Sequence, residues 1–259
     1  MRFSLRLSFC LLALVASPAF GFVHIHHLKP RLPVSPEQPV VNFFWNGAAP
    51  SLKNKDEVLD GMFADATDAQ LMEALLVEAM RIWTNVETSY IELEVTLDAN
   101  VEVDDDDETF AIVVEEQASK TIAAAALPSF ISQDPDPSPR EKDEHIIHDC
   151  DIIISSASVS AKSLLRTLVH ELGHCLGLGH PHSNYLSIMS YASLNNEAKL
   201  GLDDEAGVSF LYPSPGLSQD VNYLTSCGTL GTSSMARGAW ILLLPLGFVG
   251  WRVLRLVRR

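Results

Sequence analysis

Positive charge and cysteine are both scarce in this chain, and the scarcity narrows what it can be. Lysine and arginine total 18 against 33 aspartates and glutamates, a formal net charge of −15 although both ends are basic. Phosphate backbones are bound by basic faces, so nucleic acid is excluded as a partner. The longest acidic run, Asp104 to Glu108 (DDDDE), lacks the spaced oxygen ligands and the glycine of a recognisable calcium loop. It reads as a solvated loop, with Ca2+ an alternative that the spacing does not support. No internal repeat is visible between Phe22 and Tyr212. Of four cysteines, Cys10 falls in an N-terminal leader, which leaves Cys150, Cys175 and Cys227.

What is present sorts into two unusual ends and one middle. Residues 1–21 carry Arg2 and Arg6, an apolar run from Leu7 to Ala16, then small residues at Ser17, Ala19 and Gly21. That is the three-part layout of a secretory signal peptide, with cleavage after Ala19 or after Gly21 equally acceptable. An exported protein is expected: extracellular, at the cell surface or periplasmic. At the far end Gly238 to Trp251 is apolar and is followed by Arg252, Arg255, Arg258 and Arg259. A membrane span takes roughly 17–25 residues, which residues 238–257 reach only with snorkelling arginines. The arginines predict a cytoplasmic C-terminus. This end reads either as a plain membrane anchor or as a tripartite bacterial sorting signal with Cys227-Gly228 as its short motif. Proline, glycine and serine mark the connection before it as a stalk. The expected organisation is a signal peptide (1–21), an N-terminal extension (22–39), a catalytic domain (40–213), a linker (214–236) and a membrane or sorting segment (237–259).

The middle is 47% hydrophobic along with the rest of the chain, enough for one good core. Val40 to Trp45 (VVNFFW) is β-branched and aromatic and predicts a strand closed by Asn46-Gly47. From Asp68 to Val86 apolar residues recur at three- and four-residue steps, which predicts an amphipathic helix. Ile91 to Leu97 alternates as a strand with one wet face. Phe110 to Val114 and Thr121 to Leu127 are further strands, residues 132–144 a loop, and Asp151 to Ile154 a short strand. Lys162 to Leu176 predicts a helix with Ser160 or Ser163 as cap. The fold class that follows is α+β.

The chemistry lies at 170–180, HELGHCLGLGH. Histidines four apart on a helix project from one face, so His170 and His174 can share one metal ion. Glu171 then lies beside the metal without ligating it, placed to move protons. Gly177 lets the chain leave the helix, and the turn returns His180 as a third ligand. Three protein ligands leave a fourth position open, the arrangement of a catalytic zinc rather than a structural one.

The extended pattern H-E-x-x-H-x-x-G-x-x-H is the metzincin signature, and Met189 in Ser187-Ile188-Met189-Ser190-Tyr191 resembles the Met-turn of that clan. Tyr191 matches the tyrosine that astacins and serralysins place beside the metal, which implies a weak ligand that also donates to the oxyanion. A packed aromatic is the plainer account of it. The remainder resembles matrixins: Leu202-Asp203-Asp204-Glu205-Ala206-Gly207 to Leu211-Tyr212 is similar to their C-terminal helix, and Ala123 to Pro128 to their substrate-flanking edge strand. The resemblance spans roughly Val40 to Tyr212. It implies a zinc endopeptidase acting on protein or peptide substrates, with His170, His174 and His180 on Zn2+ and Glu171 as base. It further implies that Cys150, on the strand before the active helix, meets Cys175 on that helix as a disulfide, leaving Cys227 alone. Two matrixin features are missing: a cysteine-bearing propeptide motif between Phe22 and Val40, and a clear structural zinc and calcium pattern in residues 129–151. His145, His148 and His182 read as surface histidines or as ligands of a second ion; His24, His26 and His27 are similarly ambiguous. The rival from another class is a non-catalytic zinc-binding adhesion or scaffold domain. Glu171 and Tyr191 favour catalysis over it.

Overall fold

Alternation in Val40–Trp45 buries Val41, Phe43 and Trp45 on one side of this strand, β1, which lies inside the large sheet rather than at its edge. A computed structural model describes residues 22–25, 29–104, 107–116, 123–132, 145–181, 184–191, 194 and 196–216. The signal-peptide reading of 1–21, residues 217–236 of the linker, Cys227, His26, His27, His182 and the 237–259 segment lie outside the described residues. Among those described, no helix is long and apolar enough to cross a membrane.

In chain order β1 is followed by the short strand β2 (Leu52–Lys53), helix α1 (Asp68–Thr84), β3 (Glu92–Leu97), β4 (Phe110–Glu115), β5 (Ala124–Ser132), β6 (His145–Ser155), β7 (Val159–Ser160), α2 (Ala161–Cys175) and α3 (Leu202–Leu211). The large sheet has the order β3-β1-β4-β6-β5. Its neighbours are parallel except for β5, which runs antiparallel to β6 along the edge. β2 and β7 form a separate parallel pair. The class is mixed α+β, as the pattern of elements predicts.

Local chemistry sets the helix boundaries. Thr67 caps α1: its Oγ1 accepts from Gln70 N at 3.2 Å, while Gln70 Oε1 accepts from Thr67 N at 3.0 Å. These reciprocal bonds satisfy donors that a helix start leaves open. Of the two candidate caps for α2, Ser160 is the one used, accepting from Ser163 N at 3.2 Å. α1 and α2 are locked together where the buried Trp83 donates its indole N–H to Val169 O at 2.9 Å. Tyr212, fully buried, donates to Leu176 O and accepts from Leu32 N, both at 2.9 Å, which joins the end of α3 to the end of α2.

Two expected strands are corrected. β6 is 11 residues long, not the four of Asp151–Ile154. His145, Ile146 and Ile147 extend it by pairing with Ser132, Ile131 and Phe130, and Arg31 bridges to Ile146 from the other side. Its two aspartates are also buried, an outcome that hydropathy alone argues against. β5 lies further along the chain than Thr121–Leu127, running through Pro128, which faces Cys150. An edge strand tolerates proline because its outward N–H has no ladder partner to lose. A register shift between Ser129 and Phe130 lets the strand continue to Ser132, so Ser132, expected in the loop over 132–144, belongs to the strand. The remainder of that loop, residues 133–144, is outside the described region.

Candidate active site and metal centre

Helix α2 carries the first two histidines on one face, and their rings stand 4.8 Å apart at 90°. His180 comes back from the turn beyond α2. Its Nε2 lies 3.1 Å from Nε2 of His170 and 3.1 Å from Nε2 of His174. The outer nitrogens are already committed: His170 Nδ1 meets Ile188 O and His174 Nδ1 meets Leu178 O, each at 2.8 Å. A carbonyl only accepts, so each Nδ1 carries the proton and each Nε2 of this pair presents a lone pair inward. Lone pairs turned towards one another repel unless a cation lies between them. Nitrogens that share a tetrahedral zinc at about 2.0–2.1 Å stand about 3.3 Å apart, so the donor set, its tautomers and its spacing fit such an ion. Among the described residues these three histidines are the one group of three or more His, Cys, Asp or Glu residues that could hold a metal ion by close convergence of ligand atoms. Burial lowers the pKa of His170, and that of His174 to about 4, which keeps both rings neutral donors.

The turn between α2 and His180 is fixed from outside. Gly177 has φ +93°, and a Cβ there would lie 2.3 Å from Pro30 O, so no other residue fits. Residues 22–25 lie across this turn: Ile25 N donates to Gly177 O at 2.8 Å and Gly179 N to Val23 O at 2.7 Å. His24 is therefore held in a backbone bridge to Leu178, its ring against Phe22 and Phe210 and its pKa lowered by burial; it is not one of the converging histidines. The sequence pattern gave no sign of this strap.

Glu171 is buried at 8% exposure. Burial pushes its carboxyl up to about 7, opposed by a hydrogen bond to Oε2 from Ala126 N at 2.9 Å. Ala126 is on β5, so one backbone N–H of the edge strand is directed at this acid. Met189 is 1% exposed and packs against the helix at Gly173, where a Cβ would come within 2.3 Å of its sulfur. Asp204, at the start of α3, holds the turn that carries Met189. It accepts from Ser187 Oγ at 2.5 Å, from Ile188 N at 2.7 Å and from Gly201 N at 2.7 Å. Tyr191 is 76% exposed and its ring stacks on His180 at 3.6 Å between centroids, which leaves its hydroxyl accessible beside the histidine trio. Cys150 and Cys175 are joined in a disulfide between β6 and α2. His145 and His148 are half-buried on β6, apart from the histidine trio.

The family model for matrixins, a class of M10 peptidases, matches residues 64–213, more than half of the chain. The protein belongs to the matrixin family, and its described domain is a zinc metallopeptidase domain. No curated protein matches the chain. A solved structure titled the GM1 bound form of the ECX AB5 holotoxin is similar at 12% identity, covering 86% of this chain and 98% of that chain with a TM-score of 0.40, a likeness too low to carry an argument.

Proposed function

We propose that this protein is an exported zinc endopeptidase that hydrolyses peptide bonds, with His170, His174 and His180 as metal ligands and Glu171 as catalytic base. The observation that carries the reading is the convergence of three histidine Nε2 atoms, each 3.1 Å from its neighbour across His180, beside a buried glutamate. Zinc bound there supplies Lewis acidity and an activated water at neutral pH. Glu171, with a carboxyl raised to about 7, takes a proton from the attacking water and returns one to the leaving amine. The Ala126 N–H keeps the carboxylate in one orientation during both transfers. Tyr191, stacked on His180 and exposed, is free to turn its hydroxyl towards the oxyanion that forms on the scissile carbonyl.

The substrate is an extended protein segment. β5 is the sheet edge, and an extended chain laid beside it adds a strand through main-chain hydrogen bonds. That mode recognises backbone and favours peptides over other amides. Residues 1–21 export the protein, and residues 238–257 tether it to a membrane until any processing. The test is cleavage of denatured casein by the full-length protein with and without a zinc chelator. Chelation abolishing cleavage, and zinc restoring it, is the expected result. Zinc bound at one per chain with no cleavage of varied proteins would contradict it in favour of a binding domain.

A further inference from the structure

Helix α2 carries one further charged side chain on the face that presents its two histidines. Arg166 precedes His170 by four residues, so the two side chains lie on the same side of the helix, one turn apart. Arg166 is half-buried, and its Nε is shut away from water with no hydrogen-bond partner. Among the described residues no carboxylate pairs with it. Arg81, on the outer surface of α1, shows the contrast: both carboxylate oxygens of Glu78 hold its guanidinium.

This placement is unfavourable in two ways. An arginine stays charged when buried, unlike a lysine, so a desolvated guanidinium without a counter-ion destabilises the fold. It also opposes metal binding. Burial first, and the Arg166 charge as well, lower the pKa of His170, so the same charge repels any cation held by that ring. A methionine at this position would carry neither penalty. Unsatisfied groups of this kind concentrate at functional sites, where a ligand completes them. The guanidinium fork matches a carboxylate, and a polypeptide supplies carboxylates at Asp, at Glu and at its C-terminus. Four residues of helix rise about 6 Å, which is about two residues of extended chain.

We propose that Arg166 is a specificity-determining residue, pairing with a substrate carboxylate that lies within about two or three residues of the scissile bond. The inference rests on the peptidase reading above and adds a substrate class to it: chains with an acidic group close to the cut. The net charge of −15 by itself favours basic substrates, so a preference for an acid requires a local cation.

The experiment uses the zinc-loaded full-length protein. Bonds cut in denatured, dephosphorylated casein are identified by mass spectrometry, and one cut sequence is made as a set of peptides. Each position near the bond carries Glu or Gln in turn, with the C-terminus free or amidated. Expected is one carboxylate whose presence raises kcat/KM by about tenfold or more, as a charge-assisted hydrogen bond does. The Glu/Gln arm and the amidated arm assign it to a side chain or to the chain end. Arg166→Met should bring the paired rates together and unfold at the same or a higher temperature. Arg166→Glu should turn the preference towards Lys. Equal rates throughout both arms would overturn the proposal while leaving the peptidase reading intact, as would an undiminished preference in folded Arg166→Met. Should that variant not fold, Arg166→Lys decides: the loss of the fork should weaken the preference several-fold, and an unchanged preference overturns the proposal. Failure of zinc-loaded protein to cut casein or any peptide would defeat the peptidase reading itself, and this inference with it.

Discussion

Glu171 and Asp149 are both buried acids, 8% and 1% exposed, and burial raises the pKa of each, yet their surroundings differ. Glu171 accepts one backbone N–H and lies beside three imidazoles that converge on a point. Asp149 accepts nothing and faces other acids. A carboxylate with one fixed donor next to a metal-ligand set is equipped to exchange protons, whereas one without a fixed donor and away from that set has no such partner. The disulfide ties the two environments together through β6 and α2.

Four substitutions separate these roles, beginning with the largest effect. Glu171→Gln keeps the hydrogen bond from Ala126 and removes the base, so cleavage should fall by about 10²–10⁴-fold while zinc stays bound; steady-state kinetics with metal analysis checks both. A fall of less than tenfold would make Glu171 merely another buried acid and erase the contrast with Asp149. Replacing Cys150 and Cys175 together by alanine opens a cross-link spanning 25 residues, at a cost of about 3 kcal/mol. Thermal unfolding should show this loss.

Gly173→Ala is next. Its Cβ would meet the Met189 sulfur at 2.3 Å and Trp83 at 2.9 Å, and such overpacking costs about 1–3 kcal/mol. A midpoint several degrees lower is expected, with zinc affinity reduced because the turn under α2 has moved. The smallest effect belongs to Ala126→Pro. It removes the N–H that orients Glu171 at an edge position that proline can occupy. Loss of one hydrogen bond to a charged group is worth about 1.5 kcal/mol, so kcat should fall about tenfold with stability and zinc content little changed. An unaltered kcat would show that Glu171 needs no orienting donor.

The site at α2 was legible in the sequence because its information is local. His170, Glu171 and His174 occupy one helical turn, and Gly177 and His180 follow within a turn that their spacing describes. The main helices and the central strand were legible for the same reason, since periodicity and capping act over a few residues. What escaped depends on pairing between distant segments. Sequence pattern picks out only Asp151 to Ile154 of β6, because Asp149 and the residues before it look solvent-facing, whereas pairing with β5 and backbone donors from Asp104 and Ala111 hold the longer strand and its buried aspartates. The 22–25 strap over Gly177–Gly179 is made of backbone bonds, which side-chain patterns do not record. Pro128 signals a break, yet at a sheet edge it breaks nothing. The Cys150–Cys175 bond was reached through resemblance to matrixins, not through spacing.

The most direct test of the central claim is anomalous X-ray diffraction at the zinc edge from crystals of the full-length protein, with peptide cleavage measured on the same preparation. One zinc bonded to Nε2 of His170, His174 and His180, in protein whose cleavage is lost in Glu171→Gln, is the predicted result. Folded protein with no zinc at these three nitrogens, or cleavage that survives Glu171→Gln undiminished, would contradict the account.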